Sequence, residues 1–224
     1  MLLVKEKEIV VPGETLAEGA FLIGRGVYKS DTKIISKRLG ILHLESNRIS
    51  VIPLSGKYVP KIGDVVIGQV SEIYHYGWRI DIGAPFNAIL LLRDAITTYV
   101  SPSTDLSKFY AIRDWIRAKI INITPQKIVE LTTKGPGLKK LKNGRIIQVN
   151  AFKIPRIIGK EGSMINLIKN LTDCEIFVGQ NGFIWISGLI KNQFIAIQAL
   201  KLVELEAHLS GLTDKVKAFI EKLK

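Results

Sequence analysis

The sequence has few of the residues that build covalent or metal-stabilised folds, with one cysteine and three histidines among 224 residues. Cys174 alone cannot form an internal disulfide, which is typical of a chain in a reducing compartment, and we expect a cytoplasmic protein. The scarcity of cysteine and histidine argues against a Cys/His metal site, so we predict no metal and no cofactor. No stretch reaches the ~20 apolar residues of a membrane span, and the N-terminal apolar patch is too short for a signal peptide. We therefore expect no membrane association.

Motifs that mark common catalytic sites are also missing. The sequence contains no G-x-S-x-G, no Walker loop and no pair of carboxylates at helical spacing. The segment GRGVY at 24–28 has two glycines, but it lacks the third glycine and the following helix of a phosphate-binding loop. These absences predict a protein that is not an enzyme, although a site assembled from distant residues would leave no such signature.

Acidic residues are scarce in the last part of the chain. The formal net charge is +12, and residues 133–224 carry 15 Lys or Arg against 7 Asp or Glu. Such a cluster favours a polyanionic partner, while a solvated basic surface is the alternative interpretation. Between 134 and 160 there are eight cations and no acid: Lys134, Lys139, Lys140, Lys142, Arg145, Lys153, Arg156 and Lys160.

Turn signals and a change of hydrophobic period divide the chain into three domains. Residues 1–58 contain short β-type runs between glycines and predict a small N-terminal β domain. Residues 59–132 contain five strand-like runs, as in an OB-fold barrel, with 93–113 as a long loop between the third and fourth strands. Residues 133–144 are glycine-rich and basic and predict a linker. Residues 145–224 mix strands with amphipathic helices, the longest at about 191–209, where Phe194 and Leu205 are among the residues expected on its buried face.

A glycine motif interrupts the apolar run IPRIIGKEGSMI at 154–165. Two glycines three residues apart let the backbone turn sharply and approach a ligand, and the start of the following helix favours phosphate. The order strand, short helix, G-x-x-G, helix, two strands, helix resembles a type I KH domain. In KH domains this loop clamps the backbone of about four nucleotides. The resemblance implies an RNA-binding set at the motif, although the glycines alone also fit a simple helix–turn–helix joint: Arg156, Ile158, Gly159, Lys160, Glu161 and Gly162.

The stretch GDVVIGQVSEIYHYGWRIDIG at 63–83 resembles the S-one type of OB-fold RNA-binding domain, with Tyr76 in the aromatic-glycine turn of that family. Alternation places Trp78 with the isoleucines of its strand, which favours a place in the core over the alternative, a base-stacking platform. Tyr76 is then a candidate for base stacking and Arg79 for charge or stacking. The other candidates for phosphate contact are Arg113, Arg117 and Lys119, for which a solvated role is equally compatible with the sequence. The lysines of the basic segment, Lys139, Lys140 and Lys142, are further candidates.

An OB barrel followed by one KH domain and preceded by a small β unit resembles the RNA-binding cap subunit of the archaeal exosome, the ribosomal RNA processing protein four family. This family carries a G-x-N-G signature in its KH domain, which Gly179, Asn181 and Gly182 match, although Asn-Gly is also an ordinary hairpin turn. The resemblance implies three caps on a hexameric ring of phosphorolytic exoribonuclease subunits. It also implies that the N-terminal domain docks on the ring and that single-stranded RNA enters by its 3′ end for degradation and processing.

Two other classes of protein also join these modules. A transcription or translation factor can combine an OB barrel with KH units, but such transcription factors commonly carry two KH units and one is visible here. A polynucleotide phosphorylase tail places its KH unit before the barrel, whereas in this chain the KH unit follows the barrel.

Overall fold

A computed structural model describes residues 1–54, 56–96, 104–207 and 211–223. The chain divides into two compact units, Met1–Gly56 and Lys57–Lys224. No helix in the described part of the chain combines the length and the apolar character that a bilayer span requires. Within these same ranges, no three His, Cys, Asp or Glu side chains come together so that they could hold a metal ion.

The first unit consists of two small sheets around one apolar core. The strands are β1 (Ile9–Val10), β2 (Thr15–Glu18), β3 (Leu22–Ile23), β4 (Val27–Ser30), β5 (Lys33–Ser36), β6 (Gly40–Glu45) and β7 (Arg48–Pro53). One sheet has the strand order β1-β6-β7-β3 and the other the order β2-β5-β4. The alternation along β6 and β7 buries Leu42, Ile49 and Val51 on one face and places less buried side chains on the other.

The second unit begins with a five-stranded barrel. The strands are β8 (Val65–Tyr74), β9 (Gly77–Asp81), β10 (Ala88–Leu91), β11 (Trp115–Ile123) and β12 (Val129–Thr132). Strand β12 pairs with both β10 and β11, which closes the sheet in the order of an OB fold. The five predicted strands are therefore confirmed. The predicted loop at 93–113 contains α1 (Leu92–Ala95) at its start and a 3-10 turn at Leu106–Lys108, while 97–103 lie outside the described residues.

Trp78 lies in the barrel core, as its alternation with Ile80 and Ile82 predicts. It is fully buried, and its Nε1 donates a hydrogen bond to the carbonyl oxygen of Tyr110 at 2.9 Å. The two rings meet edge to face with centroids 5.1 Å apart. Trp78 therefore stabilises the barrel from inside and cannot act as a base-stacking platform.

The basic segment 133–144 differs from a simple linker. Its residues Lys140–Leu141 form β13, which pairs antiparallel with the first residues of β11 and extends the barrel sheet. The backbone N–H of Arg117 also donates to the carbonyl oxygen of Lys139 at 2.9 Å. The segment is thus fixed to the barrel, because backbone pairing with the start of β11 continues past the turn at Gly135 and Gly137.

The C-terminal domain contains, in chain order, β14 (Arg145–Gln148), α2 (Ile154–Ile158), α3 (Ser163–Thr172), β15 (Glu175–Val178), β16 (Phe183–Ser187), α4 (Ile190–Leu205) and α5 (Leu212–Leu223). This order confirms the predicted KH topology. Helices cover one face of the sheet and bury Ile176, Ile184 and Ile186. The expected burial of Phe194 and Leu205 on α4 was wrong, because the buried face contains their neighbours instead, and these two side chains are 49% and 75% exposed.

The second face of the KH sheet packs on the barrel. Phe177 and Trp185 stack with ring centroids 5.3 Å apart, and Phe183 meets Trp115 of the barrel at 5.4 Å. Ile67 of β8 is fully buried in the same cluster. Because the two domains share this apolar contact, they form one unit and not two modules on a tether.

Candidate nucleic-acid interface

The glycine motif forms an open turn between α2 and α3. Gly159 has φ 76° and ψ 175°, a conformation that is essentially restricted to glycine, and a Cβ there would lie 2.8 Å from the backbone nitrogen of Met164. Gly162 has φ 80° and ψ 10° and begins α3 with no side-chain cap. The N–H groups of the first turn of α3 therefore face the loop without a side-chain acceptor, as a phosphate site requires.

The charged residues of this motif are solvent accessible. Arg156, Lys160 and Glu161 are exposed, and Glu161 adopts a left-handed conformation with φ 54°. Ile158 is half-buried and packs against the domain core, whereas Ile157 before it is fully buried. The structure thus brings the six predicted KH residues together at one turn, with two cations, one carboxylate and one partly exposed apolar side chain.

On the barrel, the turn between β8 and β9 presents two tyrosines. Tyr76 is 43% exposed and stacks on Tyr74 with ring centroids 5.3 Å apart and planes 7° from parallel. Tyr74 in turn donates a hydrogen bond from its hydroxyl to Glu72, which raises the pKa of the phenol. The tyrosine pair is an accessible aromatic surface on which a base could continue the stack.

Arg79, the other predicted barrel residue of this face, has two protein partners. Its guanidinium forms an ion pair with Glu72 at 3.1 Å and donates to Asn87 Oδ1 at 2.6 Å. These contacts hold Arg79 against the barrel and weaken its positive field, since the Glu72 carboxylate lies beside it. Arg79 is therefore a weaker candidate for phosphate contact than its sequence position indicates.

The remaining predicted cations lie along the barrel and the segment after it. Arg113 lies two residues before β11 and Lys119 lies within that strand, and both side chains are exposed. Lys140 forms an ion pair with Asp114 that compensates its charge. Lys139 and Lys142 are exposed, and the Lys139 ammonium lies 5.6 Å from the centre of the Phe177 ring.

The G-x-N-G signature lies between the domains and not on an open surface. Asn181 is 4% exposed, and its side-chain Nδ2 donates to the carbonyl oxygens of Ile67 at 2.6 Å and Ile82 at 2.8 Å. Its Oδ1 accepts from the Ile67 N–H at 3.2 Å. Strand β9 pairs with β8 only from Gln69 onwards, so the Asn181 amide occupies the position of a neighbouring strand at Ile67. A Cβ at Gly179 would lie 2.4 Å from Asn181 Oδ1.

Arg117 shows a second contact between the domains that the sequence interpretation did not identify. Its guanidinium lies 4.4 Å above the Phe177 ring of β15, and burial lowers the pKa of the group. Its Nη1 donates to the carbonyl oxygen of Gly137 at 3.4 Å. The alternation in β15 places Ile176 and Val178 in the KH core, so the sequence could have predicted Phe177 on the opposite face. It could not have predicted the contact of Phe177 with Arg117.

The fold and the candidate site define a class of protein: an OB barrel of the S-one type packed against a KH domain in one unit, with a separate small β domain before them. Family models match each part. The N-terminal domain of the exosome RNA-binding protein RRP4 matches residues 7–55, the RRP4 S1 domain matches 57–102, and the KH domain matches 144–203.

Relatives match nearly the whole chain. The exosome complex component Rrp4 of Methanothermus fervidus is 43% identical over 98% of this chain and 98% of its own length, and that of Thermoplasma acidophilum is 41% identical over 97% and 92%. A crystal structure of an exosome complex RNA-binding protein is 34% identical, with a TM-score of 0.70, and covers 75% of this chain and 97% of its own. The chain belongs to the Rrp4 family of exosome components.

Proposed function

We propose that this chain is a non-catalytic cap subunit that binds single-stranded RNA and directs its 3′ end into a phosphorolytic exoribonuclease ring. The observation that carries the proposal is the open glycine turn at the start of α3, with exposed Arg156 and Lys160, on a KH domain held rigidly to an S1 barrel. Because the two RNA-binding domains pack together in one compact unit, binding of RNA to both does not have to order a flexible tether between them.

The N-terminal domain is proposed to dock on the ring. Ile9, Ile41 and Ile52 lie directly opposite one another across β1, β6 and β7, on the face away from the domain core. Ile9 is 61% and Ile52 is 52% exposed. An exposed row of isoleucines on a sheet face is typical of a surface that is covered in an assembly.

A pull-down with the ring subunits tests the docking surface. The double variant Ile9→Lys, Ile52→Lys should no longer co-purify with the ring, while RNA binding by the free chain stays unchanged. Leu205→Lys, which adds a charge at another exposed apolar position, should co-purify normally. Retention of the double variant on the ring would contradict this surface.

Degradation assays test the function itself. The chain alone should bind polyadenylate and degrade nothing, and the ring should shorten RNA faster when the cap is present. If five phosphates are neutralised, log affinity should fall against log salt with a slope of about −3.5. Phosphate-dependent degradation by the chain alone would overturn the non-catalytic assignment, and stable co-purification with polymerase or ribosome instead of a ring would favour a transcription or translation factor.

Three copies per ring and a cytoplasmic location complete the proposal. Mass measurement of the reconstituted complex checks the copy number, and fractionation of native cells followed by detection of the chain checks the location.

A further inference from the structure

A basic cleft lies where the segment after β12 passes over the barrel. Its volume is about 550 Å³, and among the described residues that line it four are lysines and none is acidic. The lysines are Lys134, Lys139, Lys140 and Lys142. The cleft is open to solvent, and its volume falls within the about 300–1,000 Å³ of sites that hold small organic ligands.

Three of these lysines carry a positive charge that no acid compensates. Asp114 forms an ion pair with Lys140. Lys134, Lys139 and Lys142 are exposed and form no ion pair within the described part of the chain. Three like charges on one short segment attract an anion with several charges, such as a run of phosphates.

Aromatic side chains supply a second kind of contact in the same cleft. Phe109 and Tyr110 line it and are half-buried. Tyr110 is held in place, because its ring packs edge to face on Trp78 and its hydroxyl is within hydrogen-bond distance of Thr133 Oγ1, at 3.3 Å. Cations beside a preorganised aromatic surface are the combination with which proteins bind single-stranded nucleic acid.

The backbone that carries the lysines is fixed. Strand β13 pairs with β11, and the carbonyl oxygen of Gly137 accepts a hydrogen bond from Arg117, which itself stacks on Phe177 of the KH domain. The backbone that carries the lysines therefore has a fixed position relative to both RNA-binding domains. RNA binding does not have to order a flexible tether.

We propose that this cleft is a distinct site for single-stranded RNA, with phosphates at Lys134, Lys139 and Lys142 and a base against Phe109 or Tyr110. The proposal rests on the RNA-binding function proposed above and adds a site to it. In addition to the glycine turn, the cleft offers RNA a second contact, which lies on the barrel.

Two matched variants test the cleft by titration with a fluorescein-labelled oligoadenylate. The variant Lys134→Gln, Lys139→Gln, Lys142→Gln removes the three cleft charges. The control Lys201→Gln, Lys217→Gln, Lys222→Gln removes three exposed charges of α4 and α5 and changes the net charge equally. The cleft variant should lose roughly tenfold in affinity and its salt slope should become shallower by about 2, whereas the control should keep the wild-type slope. Equal losses in both variants would show a net-charge effect and overturn the site.

Photo-crosslinking of the full chain to a 4-thiouridine oligonucleotide gives an independent readout. Adducts on Phe109 or Tyr110 support the proposal, and adducts confined to the peptide that contains Gly162 overturn it. A third outcome combines two results: no adducts form at the cleft, and polyglutamate competes as strongly as RNA. This outcome would assign the cleft to an acidic peptide and would also overturn the proposal.

The same titrations separate the two proposals. Suppose that wild type binds oligoadenylate, that Gly162→Asp weakens this binding and that the two triple variants behave alike. The RNA-binding function then stands and the proposed cleft site fails. If wild type does not bind oligoadenylate, both fail.

Discussion

Replacement of Asn181 by alanine should loosen the contact between the barrel and the KH domain. The side chain makes three hydrogen bonds to backbone groups of the barrel, at 2.6, 2.8 and 3.2 Å, and is almost fully buried. At about 1 kcal/mol net for each bond, Asn181→Ala should cost about 3 kcal/mol. Ile67 and Ile82 would keep buried backbone groups without a partner, because β9 does not reach this part of β8.

The assay is urea unfolding of the full chain, followed by tryptophan fluorescence. Trp115 and Trp185 both lie in the cluster between the domains, so their emission reports its separation. The exposed neighbour provides the control: Gln180→Ala keeps the backbone N–H that donates to the carbonyl oxygen of Val65 at 2.8 Å, and should change stability by less than about 0.5 kcal/mol.

Asn181→Asp distinguishes hydrogen bonding from mere filling of space. One carboxylate oxygen can still accept from the Ile67 N–H, but the other replaces the Nδ2 donor and faces two carbonyl oxygens. Burial should raise the pKa of the new carboxyl above the usual ~4. Since the folded state then binds the proton more tightly, the variant should lose stability as pH rises from below 4 through the raised pKa, and should be relatively more stable at acid pH.

A change of less than 0.5 kcal/mol in Asn181→Ala would refute the assigned role. So would a variant that keeps its stability but loses RNA affinity, because the signature would then be an RNA contact. Equal effects of Asn181→Ala and Gln180→Ala would show that the turn backbone, and not the amide, holds the domains together.

Three further predictions concern the glycine turn, the tyrosine pair and Tyr58 of the barrel. Gly159→Ala should cost about 1–3 kcal/mol, measured by thermal unfolding, because its backbone conformation excludes a side chain; an unchanged melting temperature would contradict this. Tyr76→Ala should weaken oligoadenylate binding by about 1–3 kcal/mol without loss of stability if a base stacks there, and unchanged affinity would exclude that role. Burial and the hydrogen bond to Asp64 at 2.5 Å raise the pKa of Tyr58, so its contribution is complete below about pH 10 and is lost at higher pH. Wild type should therefore lose stability relative to Tyr58→Phe between pH 9 and about pH 11, measured by urea midpoints, and parallel pH profiles would refute this.

The local geometry of the candidate site was predictable in large part, because local patterns encode it. The glycine spacing at 159–162 specifies a turn whatever surrounds it, and the structure shows the positive φ values that this turn needs. Alternation along β9 separates Trp78 from Arg79 in the same way, because side chains of a strand point to opposite faces.

The partners of these residues were not predictable, because they come from distant parts of the chain. Arg79 is paired with Glu72 and Asn87, and the basic segment continues the barrel sheet through β13. Neither contact has a periodic signature in the sequence. The burial of Asn181 was not predictable either, because the same Asn-Gly sequence forms hairpin turns on open surfaces.

The sequence by itself determined the kinds of domain, their order along the chain and the family to which they belong. The kinds of domain and their order follow from hydrophobic period, turn residues and short motifs, which act within a few residues of one another. The family follows from the resemblance of these modules, in this order, to known proteins. The tertiary structure alone decided that the barrel and the KH domain form one unit, that Asn181 joins them and that the basic segment lines a cleft. These depend on packing and hydrogen bonds between residues as far apart as Ile67 and Asn181, whose proximity only the folded chain creates.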